Sequence, residues 1–297
     1  MNGVLIIDKS AGMTSHDVVN RVRRIVGQKS VGHLGTLDPM ATGVLPLVLG
    51  NFTRLAQFYT ASPKSYEGVI RFGFATDTYD AEGSPSSTAQ GVSLDPEQVH
   101  SLAARFRGVI EQTPPPFSAK KVQGVPAYRL ARKSKPVSLA PVQVEIKEFE
   151  ILRVEGDCAA FRARVASGTY MRSVAHDMGQ LLGCGAHLQS LRRTAVAEFT
   201  LADACTLEQL AAEEVEGRCV HPRKVLPEIP VVTANDEIVA RVRSGRTVNL
   251  PELSRAPLVK VFYGQRELIA IASRVAGTLF HPKIVLASQA LSPVRAT

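Results

Sequence analysis

Apolar and polar positions along the chain alternate between the periods of strands and helices. Val4 to Asp8 is a short apolar run of strand length. A helix is predicted next, capped by Thr14 or Ser15 and ended by Gly27. Its apolar face holds Val18, Val22 and Ile25. Further strands are predicted at 44–49, 66–74, 142–154 and 159–165, and helical spacing recurs at 96–106 and 170–182.

This order of elements predicts an α+β main body built on a substantial sheet. The composition changes at 222–230, PRKVLPEIP, and short β-like runs separated by Gly and Pro follow. We therefore expect a domain boundary at about residue 229, with a main domain over 1–229 and a small β-rich domain over 230–297.

Composition narrows the class of protein. The chain has 297 residues, 45% of them hydrophobic, which is enough for a sizeable core. Its longest apolar runs are strand-sized and no signal peptide is evident, so the cytoplasm is the expected compartment. The four cysteines form no C-x-x-C pair, so neither a disulfide framework nor a zinc site is predicted.

One short segment, GHLGTLDPMATGVLPLVL at 32–49, places a single carboxylate, Asp38, in a loop that leads into an apolar strand. Pro39 stiffens the chain after Asp38, and the neighbouring glycines permit turns that other residues resist. The loop is suited to presenting the acid in a fixed pose. On local sequence alone, Asp38 as a cap of the next turn is an equal alternative.

Positive charge is concentrated in one stretch. The net charge is +8 and the pI is near 9.5, which favours a polyanionic partner. Residues 112–144 contain no acid, and six prolines there favour an extended arm over a helix. We call this segment the basic arm and expect it to contact phosphates, a solvated loop being the alternative. Its cations are Lys120, Lys121, Arg129, Arg132, Lys133 and Lys135.

Several common chemistries are not supported by motifs. The glycine-rich segment matches neither the P-loop nor the dinucleotide fingerprint, and H-E-x-x-H and G-x-S-x-G do not occur. The seven histidines are scattered and form no metal pattern. A single acid in a rigid loop, tyrosines beside glycines and a basic arm together suit chemistry on a nucleic acid whose base is flipped from its stack.

Five ordered segments carry a resemblance to one family, the TruB family of tRNA pseudouridine synthases. The segment around Asp38 is similar to the family's signature. The other four are DKSAGMTSHDVV at 8–19, KSYEGVIRFGFATDTYDAEG at 64–83, QTPPPFSAKKVQGVPAYRLAR at 112–132 and SGTYMRSVAHDMGQLLGCGAHLQSLRRTAV at 167–196. Together they span about the first two thirds of the chain.

The resemblance implies a catalytic domain with a large mixed or antiparallel sheet flanked by helices. It implies isomerisation of the uridine at position 55 in the tRNA T-arm to pseudouridine, with no metal or organic cofactor. It also implies a monomer without an obligate protein partner or membrane contact, and it assigns catalysis to Asp38. A carboxylate can attack the ribose or take a proton from it as the glycosidic bond breaks, and the sequence leaves both routes open.

The resemblance assigns roles to five further residues. His33 matches the residue that occupies the space left by the flipped nucleotide, and Tyr66 matches the tyrosine that stacks on the target base. Tyr170 matches a tyrosine near C5 of the uracil, and Arg172 an arginine that pairs with the catalytic carboxylate. Leu191 matches a substrate-pocket position. From the residues alone, a loop histidine, an edge-strand tyrosine and a core leucine are the alternatives.

The chain also departs from the family pattern. Ser10 follows Lys9 where the family usually has proline, and Ala166 and Ser167 stand where a Ser-Lys type of pair is common. The tail after about residue 230 resembles a small PUA-like RNA-binding domain only weakly. Its Arg241, Arg243 and Arg246 are consistent with RNA contact and equally with a solvated basic face. Two alternatives to the enzyme remain open: an RNA-binding or RNA-folding module on the same scaffold, and the catalytic subunit of a guide-RNA particle.

Overall fold

The structure is a computed structural model that describes residues 1–118, 120–122, 124–131, 133 and 139–286. Its α-helices are α1 (Ser15–Val26), α2 (Pro96–Ala104), α3 (Ala127–Ala131), α4 (Met171–Leu181), α5 (Val215–Arg218) and α6 (Asp236–Arg243). Its strands are β1 (Gly3–Lys9), β2 (Val31–His33), β3 (Thr42–Leu49), β4 (Lys64–Phe72), β5 (Gly108–Gln112), β6 (Lys121–Val122), β7 (Val125–Pro126), β8 (Val142–Glu155), β9 (Cys158–Val165), β10 (Ala186–Val196), β11 (Phe199–Thr200), β12 (Val231–Ala234), β13 (Val248–Asn249), β14 (Leu258–Tyr263), β15 (Glu267–Ala276) and β16 (Leu279–Val285).

Helix α1 shows how local sequence sets an element's bounds. Thr14 and Asp17 form a reciprocal capping box at the start, which satisfies backbone N–H groups that lack a partner in the first turn. Gly27 ends the helix in the left-handed conformation, with φ of 64°. Val18, Val19 and Val22 are buried against the sheet. The predicted cap and terminator of this helix are confirmed.

A nine-stranded mixed sheet forms the main body in the part of the chain that the structure describes. Its central path runs β1-β3-β10-β4-β9-β8-β5, with β2 on β3 and β11 on β10. β3 and β10 pair in parallel, whereas the remaining neighbours pair antiparallel. Helices α1, α2 and α4 contribute buried apolar residues to the core on this sheet. The predicted α+β class with a large mixed sheet is confirmed.

A second sheet, ordered β12-β14-β15-β16-β13, follows in the chain. Its inner face shares a core with the main sheet, since Ile6 and Val48 pack in the same cluster as Phe262 and Ile271. Side-chain amides of Asn2 and Asn51 also donate to the carbonyl of Leu286, at 3.2 and 3.0 Å. The β-rich tail is therefore docked on the main sheet through a buried apolar contact.

Two features of the structure differ from what the sequence led us to expect. Strand β10, at the centre of the main sheet, was not predicted. The basic arm was expected to be extended more than helical, but its described part contains the β6–β7 pair and the short helix α3. The segment after Pro126 lacks proline until Pro136, so helical backbone is permitted there. No described helix is long and apolar enough to cross a membrane.

Candidate active site

The loop that carries Asp38, residues 34–41, joins β2 to β3, and we call it the acid loop. Gly43, at the start of β3, has φ of 101°, and a Cβ there would overlap the backbone carbonyl of Arg193 on β10. Glycine therefore allows the start of β3 to approach the backbone of β10 closely. The turn after Asp38 is closed by the Asp38 backbone carbonyl, which accepts from the N–H of Ala41 at 3.1 Å. The Asp38 side chain points instead to Arg172 of α4.

Backbone on both sides of Asp38 is held by buried side chains. The Ser15 hydroxyl accepts from the N–H of Leu37 at 2.8 Å and donates to the Leu37 carbonyl at 3.0 Å. On the other side, Lys9 Nζ donates to the Pro39 carbonyl at 3.1 Å, and the N–H of Gly12 donates to the same oxygen at 2.9 Å. These contacts fix the acid loop from its first residues to its last.

Lys9 is completely buried, and its ammonium also donates to the carbonyls of Ser10 and Met13, at 2.9 and 2.7 Å. Burial lowers its pKa to about 8, although the charges of Asp38 and Glu82 oppose that shift. Ser10 thus contributes its backbone carbonyl to the ammonium, and the turn forms with serine where the family usually has proline. The sequence motifs gave Lys9 no role and suggested Ser15 only as a possible helix cap.

Arg172 lies in the first turn of α4, with only 4% of its side chain exposed. Its Nη2 donates to Asp38 Oδ1 at 3.1 Å, and its Nε lies 2.9 Å from Oδ2, near enough for an ion pair but off the angle of a hydrogen bond. Further donors reach the carbonyls of Thr78 and Phe117, each at 3.0 Å. The guanidinium is therefore fixed by several acceptors at once.

Asp38 is alone in its segment of sequence, but it is not the single acid at the site. Asp80 Oδ2 lies 3.7 Å from Arg172 Nε, so two carboxylates share one guanidinium. Asp80 is itself held by Thr78 Oγ1 at 2.6 Å and by the N–H of Glu82 at 3.1 Å. Burial and the charges of Asp80 and Asp38 raise the pKa of Glu82. The sequence placed one carboxylate in the loop, and the fold brings a second from another segment.

Arg193 of β10 lies beneath the acid loop and contacts its backbone. It is fully buried in β10 and donates to three loop and strand carbonyls: Val44 at 2.8 Å, Thr36 at 3.1 Å and Gly35 at 3.0 Å. Burial lowers the pKa of Arg193. An arginine that satisfies three buried carbonyls locks the loop against the central strand, and sequence reasoning did not single it out.

Tyr66 lies on β4, opposite Arg193 in the strand register, and is 7% exposed. β4 lies between β10 and β9, so Tyr66 is not on an edge strand as its structural alternative supposed. Burial raises the pKa of its hydroxyl, and the nearby Arg193 opposes that shift. Leu191, two residues before Arg193, is 8% exposed and belongs to the same apolar cluster as Tyr66.

Two other basic groups, Lys64 and His33, lie near Arg193. Burial and the charge of Arg193 lower the pKa of Lys64 to about 8. The same two causes lower the pKa of His33, which ends β2 and is partly exposed. The buried Nδ1 of His33 has no hydrogen-bond partner in the described part of the chain. Histidine at this position is thus favoured in its neutral form near pH 7.

Tyr170 immediately precedes α4. Its backbone is clamped by the buried amide of Gln112, which accepts from the Tyr170 N–H at 2.8 Å and donates to the Tyr170 carbonyl at 3.1 Å. Burial raises the pKa of the Tyr170 hydroxyl, with a further increase from the charge of Asp38. The charge of Asp38 also contributes to the raised pKa of Tyr66.

The basic arm is anchored to this site at its root. Phe117 and Thr113, which precede the arm's cations, accept hydrogen bonds from Arg172 at 3.0 Å and from Ser173 at 2.7 Å. The described arm cations Lys120, Arg129 and Lys133 are exposed. Lys121 lies in β6, and nothing is described of its side chain. Arg132 and Lys135 lie outside the described residues.

The site is thus a buried arginine that holds two carboxylates, in an α+β protein built on a mixed sheet. Comparison with known proteins places that site in a family. The model of the TruB family pseudouridylate synthase N-terminal domain matches residues 23–171, and that of the tRNA pseudouridylate synthase B C-terminal domain matches 172–226. The chain belongs to the TruB family of pseudouridylate synthases.

Relatives and solved structures agree with this assignment. A protein of Solibacter usitatus named tRNA pseudouridine synthase B is 50% identical over 293 residues, covering 96% of this chain and 100% of the relative. A protein of the same name from Aquifex aeolicus is 39% identical, with 96% and 100% covered. A crystal structure of a Cbf5-Nop10-Gar1 complex matches with a TM-score of 0.71 at 25% identity, covering 96% of this chain and 85% of that chain.

Proposed function

We propose that this protein isomerises the uridine at position 55 in the T-arm of tRNA to pseudouridine. The single observation that carries the proposal is the Asp38 carboxylate ion-paired with buried Arg172, in a chain of the TruB family. Relatives named tRNA pseudouridine synthase B over nearly the whole chain support tRNA as the substrate.

The reaction exchanges one bond to the ribose for another. The bond between N1 of uracil and C1′ breaks, a bond between C5 and C1′ forms, and the proton leaves C5 and is balanced by one gained at N1. Asp38 acts on the ribose, either by attack at C1′ or by taking a proton from C2′. In both routes the carboxylate must be ionised and aimed at the sugar.

Arg172 supplies the charge and the aim. A cation beside a carboxylate favours its ionised form, and a guanidinium fixed by Thr78 and Phe117 carbonyls cannot follow small movements of the acid. Asp80 is a second acceptor for the guanidinium, so that two carboxylates share its single positive charge and hold it in place. Preorganised charge of this kind stabilises a transition state without reorganisation during the reaction.

The groups around Asp38 receive the flipped nucleotide. Tyr66 stacks on the target base, because a planar ring tolerates a uracil that rotates before it rejoins the sugar. Tyr170 stands near C5, Leu191 lines the pocket, and His33 occupies the space that the nucleotide leaves. Three placements support this arrangement: Tyr66 is opposite Arg193 in the strand register, Tyr170 directly precedes α4, whose first turn holds Arg172, and His33 ends the strand before the loop of Asp38.

The proposal extends to the whole chain. Residues 1–229 form the catalytic domain, the basic arm at about 112–144 closes on the T-arm through its cations, and residues 230–297 form a PUA-like RNA-binding domain. Arg246 of that tail is exposed, while Arg243 pairs with Glu267 at 2.9 Å. We further propose a cytoplasmic monomer that needs no metal or organic cofactor.

A guide-RNA particle subunit is the second candidate, favoured by the match to the Cbf5-Nop10-Gar1 complex. The full-length match to relatives named tRNA pseudouridine synthase B favours the tRNA enzyme. One simple experiment distinguishes the two candidate functions. The tRNA enzyme modifies an unmodified tRNA transcript with no other macromolecule present, whereas a particle subunit needs its guide and partners.

The test is incubation of purified protein with that transcript, followed by pseudouridine mapping. We expect modification at position 55 by the wild type. Asp38→Asn should keep the fold and tRNA affinity but lose turnover by more than about a thousandfold, since an amide of similar shape is neither nucleophile nor base. Retained turnover in the variant contradicts the mechanism. Joint loss of tRNA binding and thermal stability would assign Asp38 a structural role.

A further inference from the structure

A strained residue stands next to the arginine of the site. Tyr79 has φ of 66°, and in the described part of the chain Ala197 and Leu226 are the other non-glycine residues with positive φ. A bulky side chain disfavours this left-handed backbone, which persists where the surroundings enforce it. Contacts with neighbouring residues must therefore hold Tyr79 in this conformation.

Three contacts hold Tyr79. Its ring stacks on that of His176, with centroids 3.8 Å apart and planes inclined by 11°. Its carbonyl accepts from the N–H of Leu188 on β10 at 3.0 Å, and its own N–H donates to the Thr76 carbonyl at 3.3 Å. The strained residue is thus fixed from helix α4 on one side and from the central strand on the other.

The stack uses the face of the histidine and not its nitrogens. The buried Nδ1 of His176 has no hydrogen-bond partner among the described residues. Burial lowers the pKa of His176, which keeps the imidazole neutral near pH 7. A neutral ring lying flat on a tyrosine is a packing surface of defined orientation.

His176 lies one helical turn after Arg172, so both side chains leave the same face of α4. Arg172 contacts both chain neighbours of Tyr79: it donates to the Thr78 carbonyl at 3.0 Å and lies 3.7 Å from the Asp80 carboxylate. α4 therefore contacts the segment 78–80 through two side chains. Arg172 contacts Thr78 and Asp80, and His176 contacts Tyr79.

We infer that the Tyr79–His176 stack is a positioning element, which fixes the Thr78 carbonyl and the Asp80 carboxylate against Arg172 and so aims its guanidinium at Asp38. Tyr79 and His176 are positioning residues, since they act through Arg172 and do not touch the reacting groups. The inference rests on the proposed function of Asp38 and Arg172. It adds two residues to which neither the sequence motifs nor the comparisons assign a role.

The test separates chemistry from binding. Tyr79→Leu keeps apolar bulk but removes the planar ring, and we expect its single-turnover rate on saturating enzyme to fall about tenfold, since a small misplacement of a catalytic group slows the chemical step. tRNA affinity should stay within about twofold of wild type because the phosphate contacts are elsewhere. Tyr79→Phe and His176→Phe keep two stacked rings and should retain wild-type rates. His176→Leu removes the same stack from the other side and replaces Tyr79→Leu if that variant does not fold.

Leu226→Ala is the matched structural control, because Leu226 has the same kind of backbone, with φ of 53°, and belongs to a different core cluster. Leu226→Ala should lower the stability of the protein but leave the single-turnover rate unchanged. A wild-type rate in Tyr79→Leu and His176→Leu overturns the inference, as does an equal slowing in Tyr79→Phe or in Leu226→Ala. Absence of activity in the wild-type protein would instead overturn the proposed function.

Discussion

The acid loop and the basic arm place charge in opposite ways. Every charged group that holds the loop is buried or nearly so: Lys9 and Arg193 are fully enclosed, and Arg172 is 4% exposed. Lys120, Arg129 and Lys133 of the arm, by contrast, are exposed. The loop is fixed before substrate arrives, whereas the arm keeps hydrated charges that can be exchanged for phosphates.

The difference shows which charges serve chemistry and which serve binding. A buried cation with several acceptors is strong and directional, but removal of one partner leaves the others uncompensated. An exposed cation contributes little to the fold and can be lost without disturbing the core. Substitutions in the two regions should therefore change different measured quantities.

Among the residues that hold Asp38 in place, the largest effect is expected at Arg172. Arg172→Lys keeps the positive charge, but lysine lacks the planar fork of donors with which the guanidinium spans Asp38 and the Thr78 and Phe117 carbonyls. The single-turnover rate should fall by about a hundredfold, comparable to the loss of one preorganised donor in other enzymes. Arg172→Met should also lower the free energy of unfolding by about 3 kcal/mol, because Asp38 and Asp80 are left without their cation.

Arg192→Met is the control for that variant. Arg192 is the neighbour of Arg193 on β10 and pairs with Asp8 at 2.7 Å, but 42% of its side chain is exposed. A half-exposed pair contributes about 1 kcal/mol at most, so Arg192→Met should change the free energy of unfolding little. Equal destabilisation of the two variants, measured by urea titration, would contradict the contrast between buried and exposed cations.

A smaller effect is expected at Lys9, and it depends on pH. Its pKa is lowered to about 8 in the folded chain, from 10.5. Between pH 8 and 10.5 the folded state has released this proton while the unfolded state still holds it, so this group makes the folded state more stable as pH rises. The gain over that window reaches about 3 kcal/mol and disappears in Lys9→Met.

Lys9→Met should also slow the reaction at pH 7 by about tenfold, since the Pro39 carbonyl next to Asp38 loses its ammonium donor. The measurements are the free energy of unfolding across pH 7 to 10.5 and the single-turnover rate. Lys147→Met, at an exposed position of β8, is the control and should run parallel to wild type at each pH. Parallel curves for wild type and Lys9→Met would mean that the Lys9 pKa is not lowered.

Local signals in the sequence predicted several elements but not the centre of the main sheet. Helix α1 was found because its caps, Thr14 and Gly27, act on adjacent backbone. Strand β10 was missed because two register shifts, at 188/190 and 193/195, break the alternation of its buried positions. Arg193, fully buried within that strand, further hides it from a hydrophobic pattern.

The site divides in the same way. Family resemblance pointed to Asp38 and Arg172, which lie 134 positions apart in sequence and 2.9 Å apart in space. Lys9, Asp80 and Arg193 were not predicted, because their role is to satisfy carbonyls or charges brought near only by the folded sheet. Lys9 and the Pro39 carbonyl, 30 positions apart, show that such partners cannot be recognised from local spacing.

The smallest effect on the chemical step is expected from the basic arm. Replacement of Arg129, Arg132, Lys133 and Lys135 by glutamine removes cations that, on our proposal, neutralise tRNA phosphates and release counterions. The log–log dependence of tRNA affinity on salt should become shallower by roughly one unit per lost contact, and by no more than about four. The rate at saturating enzyme and the free energy of unfolding should stay close to wild type, because Asp38 is held by other residues and exposed charges contribute little.

The matched control replaces Arg153, Arg162 and Arg164 by glutamine, since these exposed arginines of β8 and β9 already pair with glutamates. Their loss should leave the salt slope unchanged, which separates a specific arm from general positive charge. The measurement is tRNA affinity over a salt series for wild type and both variants. Unchanged slope and affinity in the arm variant would make the arm a solvated loop. The RNA surface would then have to lie elsewhere, first around residues 241–246, where Arg246 is exposed.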